Sequence, residues 1–131
     1  MCALAEASPD REICGFILEG PAGQEVAPAP NVAMDPGRGF LVAPETLLAL
    51  LRGAEASGRR LVALYHSHPS GGARLSSRDL AELIVDGHPT LPGVELWVVS
   101  LEGGKARELL SFSWNGEGYG EVARLHPPFA R

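Results

Sequence analysis

The sequence predicts one α/β domain in which about six strands form a layer and two main helices pack on it. Three observations carry this. Apolar, β-rich runs recur at residues 13–19, 60–68 and 94–101, with glycine or proline close by. Two segments, after Pro44 and after Ser76, instead carry leucine at helical spacing. Strand-like and helix-like stretches alternate along the chain, as in layered α/β folds.

Taken in order, CALAEAS can form about a turn and a half of helix before Pro9 stops it. ICGFILE (13–19) is closed by Gly20-Pro21 and reads as a buried strand. QEVAPAPNV is extended, and its prolines confine it to a sheet edge. GFLV (39–42) reads as another short strand. Pro44 suits the first turn of a helix; Leu47, Leu50, Leu51 and Ala54 follow at helical spacing, and Ser57-Gly58 ends it. RLVALYHSH (60–68) has almost no polar residue before its histidines, so it predicts a strand covered on both faces. A second helix is expected from Ser76 through Leu80, Leu83 and Ile84, stopping near Gly87. VELWVVSL (94–101) and ELLSFSWN (108–115) are two further strands, joined as a hairpin through Gly103-Gly104.

Composition narrows the function. The 131 residues suffice for one domain (1–131) with a substantial core, and no repeat, linker or low-complexity tract divides it. A net charge of −5 argues against a nucleic-acid partner, which needs a basic face. No apolar run approaches the roughly 18 residues of a membrane span. MCALAEASPD lacks a basic stretch followed by an apolar one, so no signal peptide is expected. Cys2 and Cys14 are too few for a disulfide scaffold, and Cys14 reads as a small buried apolar residue. A reduced, cytoplasmic setting is the expectation.

The chemistry gathers in YHSHPSGGARLSSRDL, residues 65–80. Residues i and i+2 of a strand share a face, which puts His66 and His68 side by side, roughly 6.5–7 Å apart at Cβ. Ser67 points the other way. Pro69 ends the strand, Ser70-Gly71-Gly72 lets the chain reverse, and Asp79 then falls in the first turn of the next helix. Two histidines and one carboxylate make a three-ligand set, as in catalytic zinc sites that keep a fourth position for water. Blander readings stand beside this one. Histidines at a strand end can simply bond to backbone, and Ser76-x-x-Asp79 can be a capping box. A first-turn carboxylate can cap and ligate at once.

HSHPSGGARLSSRD has the form H-x-H-P-x6-S-x2-D, and EICG upstream places an acid at the start of a strand. With these motifs the sequence resembles the JAMM (MPN+) metalloprotease family, especially its small prokaryotic members, over roughly residues 9–123. The resemblance implies a JAMM/MPN fold, a curved mixed sheet flanked by two main helices and similar to that of cytidine deaminases. It also implies roles. His66, His68 and Asp79 would hold one zinc ion per chain. Glu12 would take a proton from the attacking water and hand it to the leaving amine, and Ser76 would steady the oxyanion. Without the resemblance Glu12 would be unremarkable.

Three departures from the family pattern bear on function. Leu75 stands where many relatives have proline. The segment before Pro9 is shorter than the family's usual first helix, so part of the core must be covered otherwise, a homodimer being one way. The stretch after Asp79 lacks the large insertions with which eukaryotic relatives grip ubiquitin, so ubiquitin itself is not the expected substrate. His88 and His126, in expected loops beside prolines, are not expected ligands, and Trp97 and Trp114 read as core or sheet-surface residues.

The leading expectation is a zinc-dependent peptidase or isopeptidase cutting after the C-terminal Gly-Gly of a small ubiquitin-like protein of the sulfur-carrier type. Alternatives are a metal-free scaffold of the same fold, a non-haem iron enzyme using the same two-histidine, one-carboxylate set, and a DNA-metabolism role like that of RadC-type proteins. The last is disfavoured by the acidic charge.

Overall fold

The computed structural model describes residues 1–126. Its elements are α1 (Cys2–Ala7), β1 (Cys14–Gly20), β2 (Gly23–Ala29), α2 (Pro44–Ala56), β3 (Arg60–His68), α3 (Ser77–Leu83), β4 (Ile84–Val85), β5 (His88–Pro89), β6 (Glu95–Glu102), β7 (Lys105–Trp114) and β8 (Tyr119–Leu125). Six strands form one sheet in the order β2-β1-β3-β6-β7-β8, with β4 and β5 as a separate small hairpin. Neighbours in the large sheet run antiparallel except β3 and β6, which are parallel. The connection between that parallel pair carries α3 and the small hairpin.

Strand β3 lies in the interior of the sheet, and from Ala63 to His68 every residue is buried, as its unbroken apolar run predicts. Leu64 belongs to the larger core cluster with Phe16, Phe40, Leu83, Leu96, Val98, Leu110 and Phe112. Helix α2 adds Leu47 and Leu50 to that cluster. Leu51, expected on the same stripe, is exposed instead. The alternate residues Ala63 and Tyr65 pack with Ile17 in a second cluster. Short as it is, α1 covers part of the sheet: Ala5 is fully buried against Val99 and Leu101.

The structure corrects the sequence reading in three places. GFLV (39–42) is not a strand, because Leu41 has no ladder to join; its N–H goes to the Asn31 side chain and its C=O takes the Val32 N–H. The sixth strand of the sheet is β8. Helix α3 stops at Leu83, before the β-branched Ile84-Val85, and the Thr90 N–H donates to the Leu83 carbonyl. Those β-branched residues begin a two-residue hairpin around Asp86-Gly87, both at positive φ (52° and 76°). Asp-Gly is a strong signal for such a turn.

Gly15, in the EICG stretch, is required by a close approach. A Cβ there would stand 2.4 Å from the fully buried Tyr65 hydroxyl and 2.6 Å from the Ala27 carbonyl oxygen. The Tyr65 ring or the β2 backbone would have to shift. Gly15→Ala should therefore destabilise the fold by about 1–3 kcal/mol, the usual cost of overpacking, read as a lower midpoint in urea unfolding. An unchanged midpoint would show that β1 and β3 can separate without cost.

Candidate metal centre

The site is assembled where β3 ends. His66 and His68 share a face, and their Nε2 atoms stand 3.0 Å apart. Pro69 closes the strand, and Gly71 and Gly72, at φ 88° and 83°, turn the chain back. The turn also orients a ligand. The Gly72 carbonyl, 2.7 Å from His68 Nδ1, can only accept, so Nδ1 carries the proton and Nε2 of the neutral ring presents its lone pair.

Helix α3 supplies the carboxylate. Ser76 is its N-cap: the Ser76 Oγ accepts the Asp79 N–H at 3.0 Å, and the Ser76 N–H donates to Asp79 Oδ2 at 2.9 Å, a complete capping box. The same Oδ2 lies 3.1 Å from both His66 Nε2 and His68 Nε2. Capping thus aims the carboxylate, and the two readings of Ser76-x-x-Asp79 describe one arrangement.

Glu12 arrives from the far end of the sequence, just ahead of β1. Its side chain is buried, and Oε1 has no hydrogen-bond partner among the described residues. One donor atom from each of Glu12, His66, His68 and Asp79 lies within 4.8 Å of all the others. Cys14 is not in this group; its buried thiol faces the Ala29 and Pro30 carbonyls, and burial pushes it up to about 11. His88 and His126 are exposed and outside it.

Burial pushes the Glu12 carboxyl up to about 7, with His68 pulling against it. Burial also holds His66 below the ordinary imidazole value. At His68 burial acts in the same direction, but Asp79 and the Gly72 carbonyl overrule it and the net shift is upward. Burial alone would raise Asp79; the two imidazoles beside it and the Ser76 N–H instead hold it well below the usual carboxylate range.

These residues fit a metal ion. His68 Nε2 offers its lone pair, Asp79 Oδ2 has capacity beyond the Ser76 N–H it accepts, and His66 Nε2 meets both at one point. A cation satisfies all three together. Donors about 2.0–2.1 Å from one tetrahedral ion stand roughly 3.3 Å apart, within a few tenths of the 3.0–3.1 Å found here. Nitrogen and oxygen donors of this kind suit zinc or iron.

Glu12, His68 and Ser76 line one groove, together with Gly37, Arg38 and Arg74. Ser76 is exposed, and no described acceptor takes its hydroxyl proton. All five sequence-expected residues are therefore brought together.

Three supporting residues were not read from the sequence. Phe40 stacks on His66, ring centroids 4.3 Å apart. Ser67, fully buried, accepts the Ile13 N–H at 2.8 Å and donates its own N–H to the Ile13 carbonyl at 3.0 Å, fixing the chain beside Glu12. The signal for Ser67 was there: a polar residue on a strand buried on both faces needs a partner. Asn31 bonds the Glu12 carbonyl at 2.9 Å, and its loop position gave no signal.

The sequence model of a family described as prokaryotic homologs of the JAB domain matches residues 1–115. A probable TtuB-protein conjugate cleaving protease of Thermus thermophilus is 44% identical over 59 residues, 45% of this chain and 40% of that protein. The chain thus matches less than half of that relative's length. A desampylase of Haloferax volcanii is 25% identical over 122 residues, 91% of this chain and 81% of that protein. The solution structure of a protein from Desulfitobacterium hafniense superposes with a TM-score of 0.73 at 24% identity, covering 93% of this chain and 82% of that one. One from Salinibacter ruber gives 0.59 at 28% identity, covering 97% and 84%.

The capping box makes a stability prediction. Ser76→Ala removes the bond to the Asp79 N–H and should cost about 0.5–2 kcal/mol, whereas Ser76→Thr should cost less. Equal thermal midpoints for the parent and Ser76→Ala would mean that the cap carries no stability.

Proposed function

The chain belongs to the family of prokaryotic homologs of the JAB domain, and we propose that it is a zinc-dependent peptidase or isopeptidase. In this reading it hydrolyses the amide bond after the terminal Gly-Gly of a small ubiquitin-like protein of the sulfur-carrier type. The observation that carries the proposal is the Glu12 carboxylate, buried and unpaired at Oε1, in one groove with Ser76 and beside three convergent donor atoms. A structural ion pair would have neutralised that carboxylate; a general base must keep an oxygen free. The names of the Thermus and Haloferax relatives, a conjugate-cleaving protease and a desampylase, support the substrate class. Cys2 and Cys14 are free thiols, which fits a reducing cytoplasm.

His66, His68 and Asp79 would hold the zinc. The ion supplies Lewis acidity, making water a better nucleophile at neutral pH and polarising the scissile carbonyl. Glu12 takes a proton from the attacking water through its free oxygen and returns it to the leaving amine. Ser76 donates its hydroxyl proton to the oxygen on which negative charge develops. The groove would receive the extended tail, and two glycines offer almost no side chain to grip. Most recognition must then come from the folded surface of the carrier.

Zinc analysis after purification without added metal should find one ion per chain in the parent and little in His68→Ala. Iron in its place would favour the non-haem reading, and full zinc in the variant would remove His68 from the site. Glu12→Gln should keep the zinc and the fold but lose about 10²–10⁴-fold in turnover. A protein that binds zinc and cleaves nothing would be the metal-binding counterpart of a silent scaffold.

The substrate itself is tested by mass spectrometry of folded β-grasp carriers with a short extension after Gly-Gly, with and without a chelator. The folded carrier should be cut much faster than a free peptide with the same tail. Equal rates would indicate a general small peptidase.

A further inference from the structure

Between β2 and α2 the chain runs from Pro30 to Ala43 without helix or strand. Such a loop needs partners for its backbone groups, and one side chain supplies many of them. Asn31 Nδ2 donates to the Glu12 carbonyl at 2.9 Å and to the Gly39 carbonyl at 3.0 Å. Its Oδ1 accepts the Ala33 N–H at 3.0 Å and the Leu41 N–H at 3.1 Å. A primary amide has two donor protons and two acceptor lone pairs, so the whole capacity of Asn31 is used.

The loop answers from the other side. The Glu12 N–H donates to the Pro36 carbonyl at 2.6 Å, so both backbone polar groups of Glu12 are held by this one loop. Residues 37 and 38 of the loop line the groove together with Glu12 and Ser76. Glu12 has no ladder partner of its own, because β1 starts two residues later.

We propose that Asn31 is a positioning residue for Glu12, locking the base and the adjoining wall of the groove into one rigid unit. The inference rests on the reading of Glu12 as general base. No other side chain can replace Asn31 in place. Aspartate has the shape but donates nothing, and serine is too short to reach four partners. Glutamine adds a methylene that displaces the amide.

The test compares Asn31→Asp, Asn31→Ala and Glu12→Gln, and combines each Asn31 variant with Glu12→Gln. Asn31→Asp keeps the two accepted bonds that fold the loop and loses the two donated ones. The probe is a folded β-grasp carrier ending in Gly-Gly followed by one amide-linked amino acid. Asn31→Asp should lower kcat by roughly 10–100-fold, the scale on which misplacing a catalytic group acts, with KM and zinc content close to the parent. Asn31→Ala should lower kcat as well, which rules out the added charge as the cause. In the Glu12→Gln background either change should cost less than about twofold more, because residues acting through one group are not additive. Losses that multiply in the double variants, or a parent-like kcat in Asn31→Asp, would overturn the proposal.

A second measurement does not depend on turnover, and its first part, made on the parent alone, does not depend on any variant folding. In the parent the Asn31 side-chain amide protons and the Glu12 N–H should be protected together from hydrogen exchange. In Asn31→Asp the Glu12 N–H should exchange roughly tenfold faster while the amides of β3 keep their protection. Fast exchange of the Asn31 protons in the parent, or unchanged Glu12 exchange in the variant, also overturns it. A parent that fails to cleave the carrier sinks the functional reading alone and leaves the exchange result to decide this one.

Discussion

Two imidazole nitrogens and a carboxylate oxygen crowded at one buried point set the terms for this molecule. His66 Nε2, His68 Nε2 and Asp79 Oδ2 meet within 3.1 Å, away from water. Taking two imidazoles and a carboxylate out of water together costs desolvation free energy, so the fold must force this meeting. It does so with rigid parts: a strand end covered on both faces, a glycine turn whose carbonyl fixes one imidazole, and a helix cap that aims the carboxylate. Remove any of these and the three atoms would separate and hydrate.

Much of this was legible in the sequence because it is local. The H-x-H spacing on a strand fixes a shared face, and S-x-x-D before a helical stretch fixes a carboxylate in its first turn. Helix α2 and strands β1, β3, β6 and β7 declared themselves through periodicity and through glycine or proline at their ends. What stayed hidden depends on contacts between distant residues. Glu12 becomes notable only when β1 pairs with β3, and only the family resemblance raised it. GFLV has the composition of a strand, but strand formation needs a neighbouring ladder, which no local pattern reports.

The small hairpin after α3 is a different kind of miss. Its Asp-Gly turn is visible in the sequence, but the helical spacing of Leu80, Leu83 and Ile84 extends past the point where the β-branched residues favour the extended form. The roles of Asn31 and Ser67 have yet another cause. Both act through hydrogen bonds to backbone, and although a serine on a doubly buried strand signals that some partner exists, residue identities do not say which backbone group it is.

The pairing of β1 with β3 has a consequence for how the molecule could fail. The two histidines and the aspartate come from one short contiguous segment, whereas Glu12 is tied to them only across a strand pair of long sequence separation. Partial openings of a protein follow such boundaries. If the N-terminal end of β1 frays while β3 stays in the sheet, the segment from His66 to Asp79 remains intact. Under the proposed reading, the molecule would then pass through a state that keeps the three ligand residues together without the proton acceptor, so metal occupancy and catalytic competence would be separable.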